Sequence, residues 1–248
     1  FLIAYLGIWV ISPKRLFTNN WQDELWLVAG GIFGGSLYFF TENTALGITQ
    51  ASNVSFIICT APLLTTILSL LFYKSEKASK GLIYGSLLAL MGVGLIVFNG
   101  SFVLKISPIG DLLTLLAALS WAFYSLIIKK MARRYPTVFI TRKIFFYGVL
   151  TILPAFLLHP LQPDTAVLLQ PAVLFNLLFL AVLASLICYV LWNVVLKQLG
   201  TVRASNYIYL NPLVTMIASF LILDEKITLV ALGGAACIVC GVYWAEKK

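Results

Sequence analysis

Long apolar blocks separated by short polar runs constrain this chain more than any other feature. Nine are legible, at roughly residues 1–12, 25–46, 52–73, 81–99, 108–128, 139–158, 172–196, 204–223 and 229–245. A run of about 20 apolar residues is what a helix needs to cross a hydrocarbon core. No water reaches that depth, so backbone N–H and C=O groups must be bonded within a helix or around a closed barrel. The blocks lack the alternation of barrel strands, which leaves helices. With 61% hydrophobic and 10% charged residues, against about 25% charged in soluble domains, a soluble fold is excluded. Aromatics gather at many block ends, as they do at membrane interfaces.

A net charge of +8 would suggest a nucleic-acid partner in a soluble protein, but here the basic residues cluster at block ends, and the lipid bilayer is the partner they imply. Of 17 Lys and Arg, all but Lys105 and Lys226 fall in alternate connections on one side, from Lys14 and Arg15 through Lys74, Lys129–Arg134, Arg142, Lys143, Lys197 and Arg203 to Lys247 and Lys248. By the positive-inside rule that side is cytoplasmic, and so is the C-terminus. Cys59, Cys188, Cys237 and Cys240 all lie inside apolar blocks, where neither disulfide nor thiolate chemistry is favoured. The C-x-x-C at 237–240 reads as two small residues on one helix face.

The chain also repeats itself. An offset of 150 lays YFFTENTAL (38–46) over CYVLWNVVL (188–196), Asn43 over Asn193 and Pro62 over Pro212. An offset of 149 lays EKAS (76–79) over EKIT (225–228), Gly85 over Gly234 and Gly92 over Gly241. Glu76 sits among the cytoplasmic lysines while Glu225 falls on the other face, so the halves are inverted, which requires an odd number of helices in each. The second half holds five blocks and the first four. The expectation is an all-α polytopic membrane protein of two inverted five-helix repeats, divided as 1–103 and 104–248, with ten helices when complete, one preceding Phe1 and the next partial.

GDLLTLLAALSWAFYSLIIKKMARRY (110–135), the paired segments Pro62 to Glu76 and Pro212 to Glu225, GVGLIV (92–97) with GVYW (241–244), and ENTALGITQASNVSFI (42–57) together resemble the EamA-type branch of the drug/metabolite transporter superfamily. The resemblance implies ten helices, alternating access around a central cavity and cytoplasmic termini. It also implies a small-metabolite substrate such as an amino acid, sugar or nucleotide derivative, often exported. A bacterial inner (plasma) membrane is the expected location.

Several residues stand out against this background. Glu42, an ionisable group inside a block, is either a counter-charge for a substrate amine or proton-coupling site, or an interfacial glutamate bonded to a helix end. Asn43 and Asn193 are repeat-related and read as cavity residues or as interhelical hydrogen bonds. Asn53, Asn206 and Asn211 carry the same two readings. Trp121 with Tyr124, and Tyr189 with Trp192, are three apart and share helix faces; with Tyr209 they would line an aromatic cavity or simply pack. Pro62 and Pro212 fall mid-block and should kink equivalent helices, as hinges or as static bends. Gly30 with Gly34, and Gly31 with Gly35, allow close helix contact. Glu76 and Glu225 suit helix N-termini, and Asp224 is a candidate cap for the last helix.

Some chemistry is excluded. There is no phosphate-binding G-x-x-x-x-G-K-[ST] loop, no acidic cluster for a metal, no G-x-S-x-G elbow and a single histidine, His159. No cofactor or catalytic residue is expected. A secondary transporter or facilitator working without nucleotide hydrolysis is the leading reading; a channel, a non-transporting membrane subunit and an intramembrane enzyme are the alternatives. Inverted halves favour the first, because they supply the symmetry alternating access uses.

Overall fold

A computed structural model describes residues 1–11, 17–73, 79–98, 107–158, 165–223 and 227–247. The candidate helix-end acids Glu76, Asp224 and Glu225, and His159, lie outside these. The described residues form helices and no strand: α1 (Leu2–Ile11), α2 (Trp21–Gly31), α3 (Leu37–Ile48), α4 (Ala51–Ile58), α5 (Ala61–Phe72), α6 (Lys80–Phe98), α7 (Pro108–Met131), α8 (Thr137–Leu158), α9 (Thr165–Leu168), α10 (Pro171–Leu178), α11 (Cys188–Leu199), α12 (Thr201–Asn206), α13 (Asn211–Leu223) and α14 (Leu229–Glu246). Apart from short α9, these follow the nine apolar blocks. Among the described residues 7 helices are long and apolar enough to cross a membrane.

Irregularities recur at the sequence offset. α2 runs into α3 through a π-helical segment, Ile32–Ser36, and α10 runs into α11 through another, Phe179–Ile187, which spans the positions 150 residues on. α4 and α5 are separated at Cys59 and Thr60, and α12 and α13 by a 3₁₀ segment, Tyr207–Leu210. Ser79 Oγ accepts from the Leu82 amide and Thr228 Oγ1 from the Ala231 amide, each at 3.1 Å, capping α6 and α14 at equivalent positions. The last helix, which begins at Leu229, is thus capped by Thr228.

The chain divides into two compact units, Phe1–Phe40 with Ile127–Gln198, and Thr41–Leu126 with Leu199–Lys248. Each draws on residues from both sides of position 103, so the units do not coincide with the division expected from the sequence offset.

In the second unit α6 and α14 cross antiparallel through glycines. A Cβ on Gly85 would lie 2.5 Å from the Gly241 oxygen, and one on Gly92 2.5 Å from the Gly234 oxygen. Gly234 and Gly241 are the sequence equivalents of Gly85 and Gly92. Each contact therefore joins a residue to the equivalent of the other, the pattern of a surface packed on its own copy about a two-fold axis. The buried core around the crossing, Cys59, Ala89, Val93, Tyr209, Ile238 and Val242, consists of three repeat-related pairs: 59 with 209, 89 with 238, and 93 with 242. Gly200, at φ 81, takes the left-handed conformation that lets α11 pass into α12 through one residue.

Candidate functional site

In the first unit, glycines bring α2 onto α8. A Cβ on Gly31 would meet Tyr147 Cβ at 2.5 Å and the Gly148 amide at 2.9 Å, and one on Gly30 would meet Ile144 Cδ1 at 2.5 Å. The glycine pairs noted in the sequence thus allow near backbone contact. This approach presents the first turn of α2 to the α7–α8 turn and to α8. Asn20 caps α2 through the Gln22 amide at 3.0 Å, and Asp23 and Glu24 follow where a carboxylate complements the helix N-terminus.

Both acids are buried and both are met by a cation and a tyrosine. Asp23 accepts from Arg134 Nη1 at 2.6 Å and from the Tyr135 hydroxyl at 2.9 Å, and the Tyr135 hydroxyl accepts from the Asn19 amide at 3.1 Å. Glu24 pairs with the Lys143 ammonium and accepts from the Tyr147 hydroxyl. It also takes the Thr18 amide at 3.0 Å and the Thr18 hydroxyl at 2.7 Å. Glu24 stands ahead of the apolar block 25–46. Burial raises its pKa, but the hydrogen bonds from Lys143, Tyr147 and Thr18 outweigh that and hold it down at about 2. Neighbouring Arg142 is buried with its guanidinium 4.6 Å from the Trp9 ring centroid.

Higher in the same unit, the Tyr189 hydroxyl donates to the Gly34 carbonyl at 2.7 Å. That bond ties α11 to the π segment between α2 and α3. Asn193 Nδ2 donates to Thr141 Oγ1 at 2.9 Å, fully buried against α8. The Phe1 ring lies 4.8 Å from Phe145 and 5.5 Å from Tyr189.

In the second unit, Ser86 Oγ on α6 donates to Asn206 Oδ1 at 3.4 Å, at the end of α12 where the 3₁₀ break begins. Asn206 is fully buried, and its Nδ2 finds no partner among the described residues, a costly arrangement for an amide. Tyr209, inside the break, is also fully buried. Pro62 and Pro212 are each the second residue of the helix that follows an interruption, where a missing N–H costs nothing. The Trp121 and Tyr124 rings pack 5.1 Å apart on α7.

The sequence profile of the EamA-like transporter family matches residues 1–98 and 108–245. The chain belongs to the EamA-like transporter family. An uncharacterized transporter of Archaeoglobus fulgidus is 29% identical over 252 residues, covering 100% of this chain and 86% of the relative. A probable amino-acid metabolite efflux pump of Escherichia coli strain K12 is 24% identical over 248 residues, covering 98% of this chain and 81% of its own. A protein of known crystal structure shares the fold with a TM-score of 0.80 at 18% identity, over 98% of this chain and 82% of its own. This is an integral membrane protein of a transport family.

This EamA-family chain places the residues singled out in its sequence unevenly. Tyr189, Trp192 and Asn193 belong to the first unit; Glu42, Asn43, Asn53, Trp121, Tyr124, Asn206, Tyr209, Asn211, Pro62 and Pro212 belong to the second. Glu42, Trp121 and Trp192 are half-buried, Asn43 and Asn211 are exposed, and Asn53, Tyr124, Tyr189, Asn193, Asn206 and Tyr209 are buried. Asn43 and Asn193 match in sequence but not in environment, because Asn193 is drawn onto Thr141 of α8. One assignment is corrected. Arg142 and Lys143 read as loop charges setting topology, but they lie inside α8, 2% and 5% exposed. Lys143 is held there by Glu24, and Arg142 stacks on Trp9. Sequence reasoning passed over Asp23 and Glu24 entirely. The available signal was an acid pair directly before one apolar block and a basic pair inside another, both on one membrane side.

Proposed function

We propose that the protein carries a small organic metabolite, an amino acid or close derivative, across the membrane by alternating access between two inverted five-helix repeats, in the direction of export. The observation that carries this reading is the exchange of repeat-equivalent glycines between α6 and α14, which fits halves related by a two-fold axis, the symmetry alternating access exploits. Family matches on either side of residue 103 support the same division. The Escherichia coli relative's name, an amino-acid metabolite efflux pump, supports the substrate class.

In this reading Glu42 supplies the counter-charge for a substrate amine, and Trp121, backed by Tyr124, offers an aromatic face to the ammonium or side chain. Asn43, Asn53, Asn206 and Asn211 supply hydrogen bonds at the helix ends and breaks of the second unit. Tyr209 anchors the 3₁₀ break in its core, and Pro62 and Pro212 mark paired hinges. In the first unit Tyr189, Trp192 and Asn193 hold α11 in place. The protein sits in a bacterial inner membrane with its C-terminus in the cytoplasm.

Counterflow in proteoliposomes, screened over amino acids, sugars and nucleosides, tests the reading. Saturable exchange of amino acids is expected. Exchange confined to another class would overturn the substrate assignment, and a linear, unsaturable flux would overturn alternating access. A C-terminal reporter active only in the cytoplasm checks the orientation.

A further inference from the structure

The buried charges at the start of α2 have no part in that substrate site. Glu24 is 7% exposed and Lys143 5% exposed, and taking two ions out of water costs more than filling the same space with apolar side chains. Lys143 lies in a helix long and apolar enough to cross a membrane, and ionisable groups buried in such helices mark paths for ions or protons. The pair also joins separate parts of the chain: Glu24 lies in the first sequence half, Lys143 and Tyr147 in the second, so displacement of α8 from α2 breaks it. Water is close by, because Arg134, bonded to neighbouring Asp23, has a side chain 56% exposed.

We infer that Glu24 is a proton-binding site of the transport cycle, with Lys143 the internal cation that competes with the proton for the same carboxylate. With Lys143 in place the carboxylate is ionised and satisfied by the ammonium, the Tyr147 hydroxyl and Thr18. When Lys143 withdraws, a proton from water binds a Glu24 oxygen, and the resulting neutral acid remains in the same buried seat. One proton enters Glu24 and one leaves it per turn. Among the described residues, the charged and titratable groups on the elements packed about this carboxylate are Arg142, Lys143 and Tyr147 on α8, Arg134 and Tyr135 on the α7–α8 turn, Lys130 near the end of α7 over Trp26, and Asp23 on its own helix. Asp23 is engaged by Arg134 and Tyr135, which leaves Glu24 as the carboxylate whose charge depends on Lys143.

The word cycle rests on the transport reading, so the closing experiment has one arm that needs no substrate. In that arm, purified full-length Lys143→Met protein near neutral pH should show the infrared carbonyl stretch of a protonated carboxyl. Wild type should lack the band, and so should the Glu24→Gln/Lys143→Met double variant. Lys143→Gln, which keeps an amide donor facing Glu24, serves if the methionine variant does not fold. A folded Lys143 variant without the band overturns the proton site. In the second arm, proteoliposomes taking up amino acids with and without a pH gradient should show gradient stimulation in wild type and none in Glu24→Gln. Stimulation that survives in Glu24→Gln overturns the coupling. Failure of wild type to exchange any amino acid strikes the substrate class and leaves the infrared result to decide the proton site.

Discussion

Replacing Gly85 by alanine isolates the physical content of the α6/α14 crossing. The added Cβ would lie 2.5 Å from both the Ala245 amide nitrogen and the Gly241 oxygen, and 2.9 Å from Ala245 Cα. All three atoms are backbone, so no side chain can rotate away. Carbon contacts relax only near about 3.5 Å, and the helices must part locally by roughly 1 Å. Overpacking of this kind costs about 1–3 kcal/mol. Alanine also gains up to about 1 kcal/mol of helix propensity over glycine, which would blur a single measurement. Gly233→Ala supplies the reference: it lies in α14 with nothing within 4 Å of its would-be Cβ, so it takes the propensity gain without the clash. Gly85→Ala should therefore unfold more easily than Gly233→Ala by about 1–3 kcal/mol, read by circular dichroism during denaturation in detergent micelles. Gly241→Ala, whose Cβ would meet the Ala89 amide and the Gly85 oxygen at 2.5 Å, should cost a similar amount. The Gly85→Ala/Gly241→Ala pair should cost less than the sum, because both methyls push apart one contact. Equal stability of the Gly85 and Gly233 variants would refute the close crossing and the two-fold packing argued from it.

Four further outcomes are expected. Tyr189→Phe removes the donor to the Gly34 carbonyl and should lower stability by about 1–3 kcal/mol; an unchanged melting curve would show that the bond is not made. The Glu24 carboxyl is held below its ordinary 4.5 at about 2, so the stability it contributes is complete above pH about 4.5 and is lost as pH falls toward 2. The melting difference between wild type and Glu24→Gln should be constant at neutral pH and shrink through that acid window; a difference independent of pH contradicts the ion pair. Glu42→Gln should reduce counterflow of amine-bearing solutes by at least about tenfold, the worth of one charge-assisted hydrogen bond, while a normal rate removes Glu42 from the site. Pro62→Ala and Pro212→Ala, each restoring an N–H beside a helix interruption, should slow exchange with little change in melting temperature; unaltered exchange in both argues for static bends.

The nine apolar blocks determined the helices, because backbone hydrogen bonding inside a bilayer leaves a chain of this composition no other arrangement. The 149–150 offset lays over one another residues that the structure finds in paired local features: interruptions ahead of Pro62 and Pro212, caps at Ser79 and Thr228, and close-packed glycines at 85, 92, 234 and 241. Such features are written in neighbouring residues, and reading them needs no knowledge of the fold. Partners across the fold were not legible. Nothing local indicates that Gly85 meets Gly241, that Tyr189 reaches the Gly34 carbonyl, or that Asn193 is buried on Thr141 while its equivalent Asn43 is exposed. Lys143 is the clearest case. In sequence it is one more basic residue on the positive side, whereas in the structure it is buried against Glu24, because the small residues at positions 30 and 31 let α2 approach α8 almost to backbone contact. Charge assigns a lysine to one side of a membrane, but only the packing of two helices decides whether it faces water or a carboxylate.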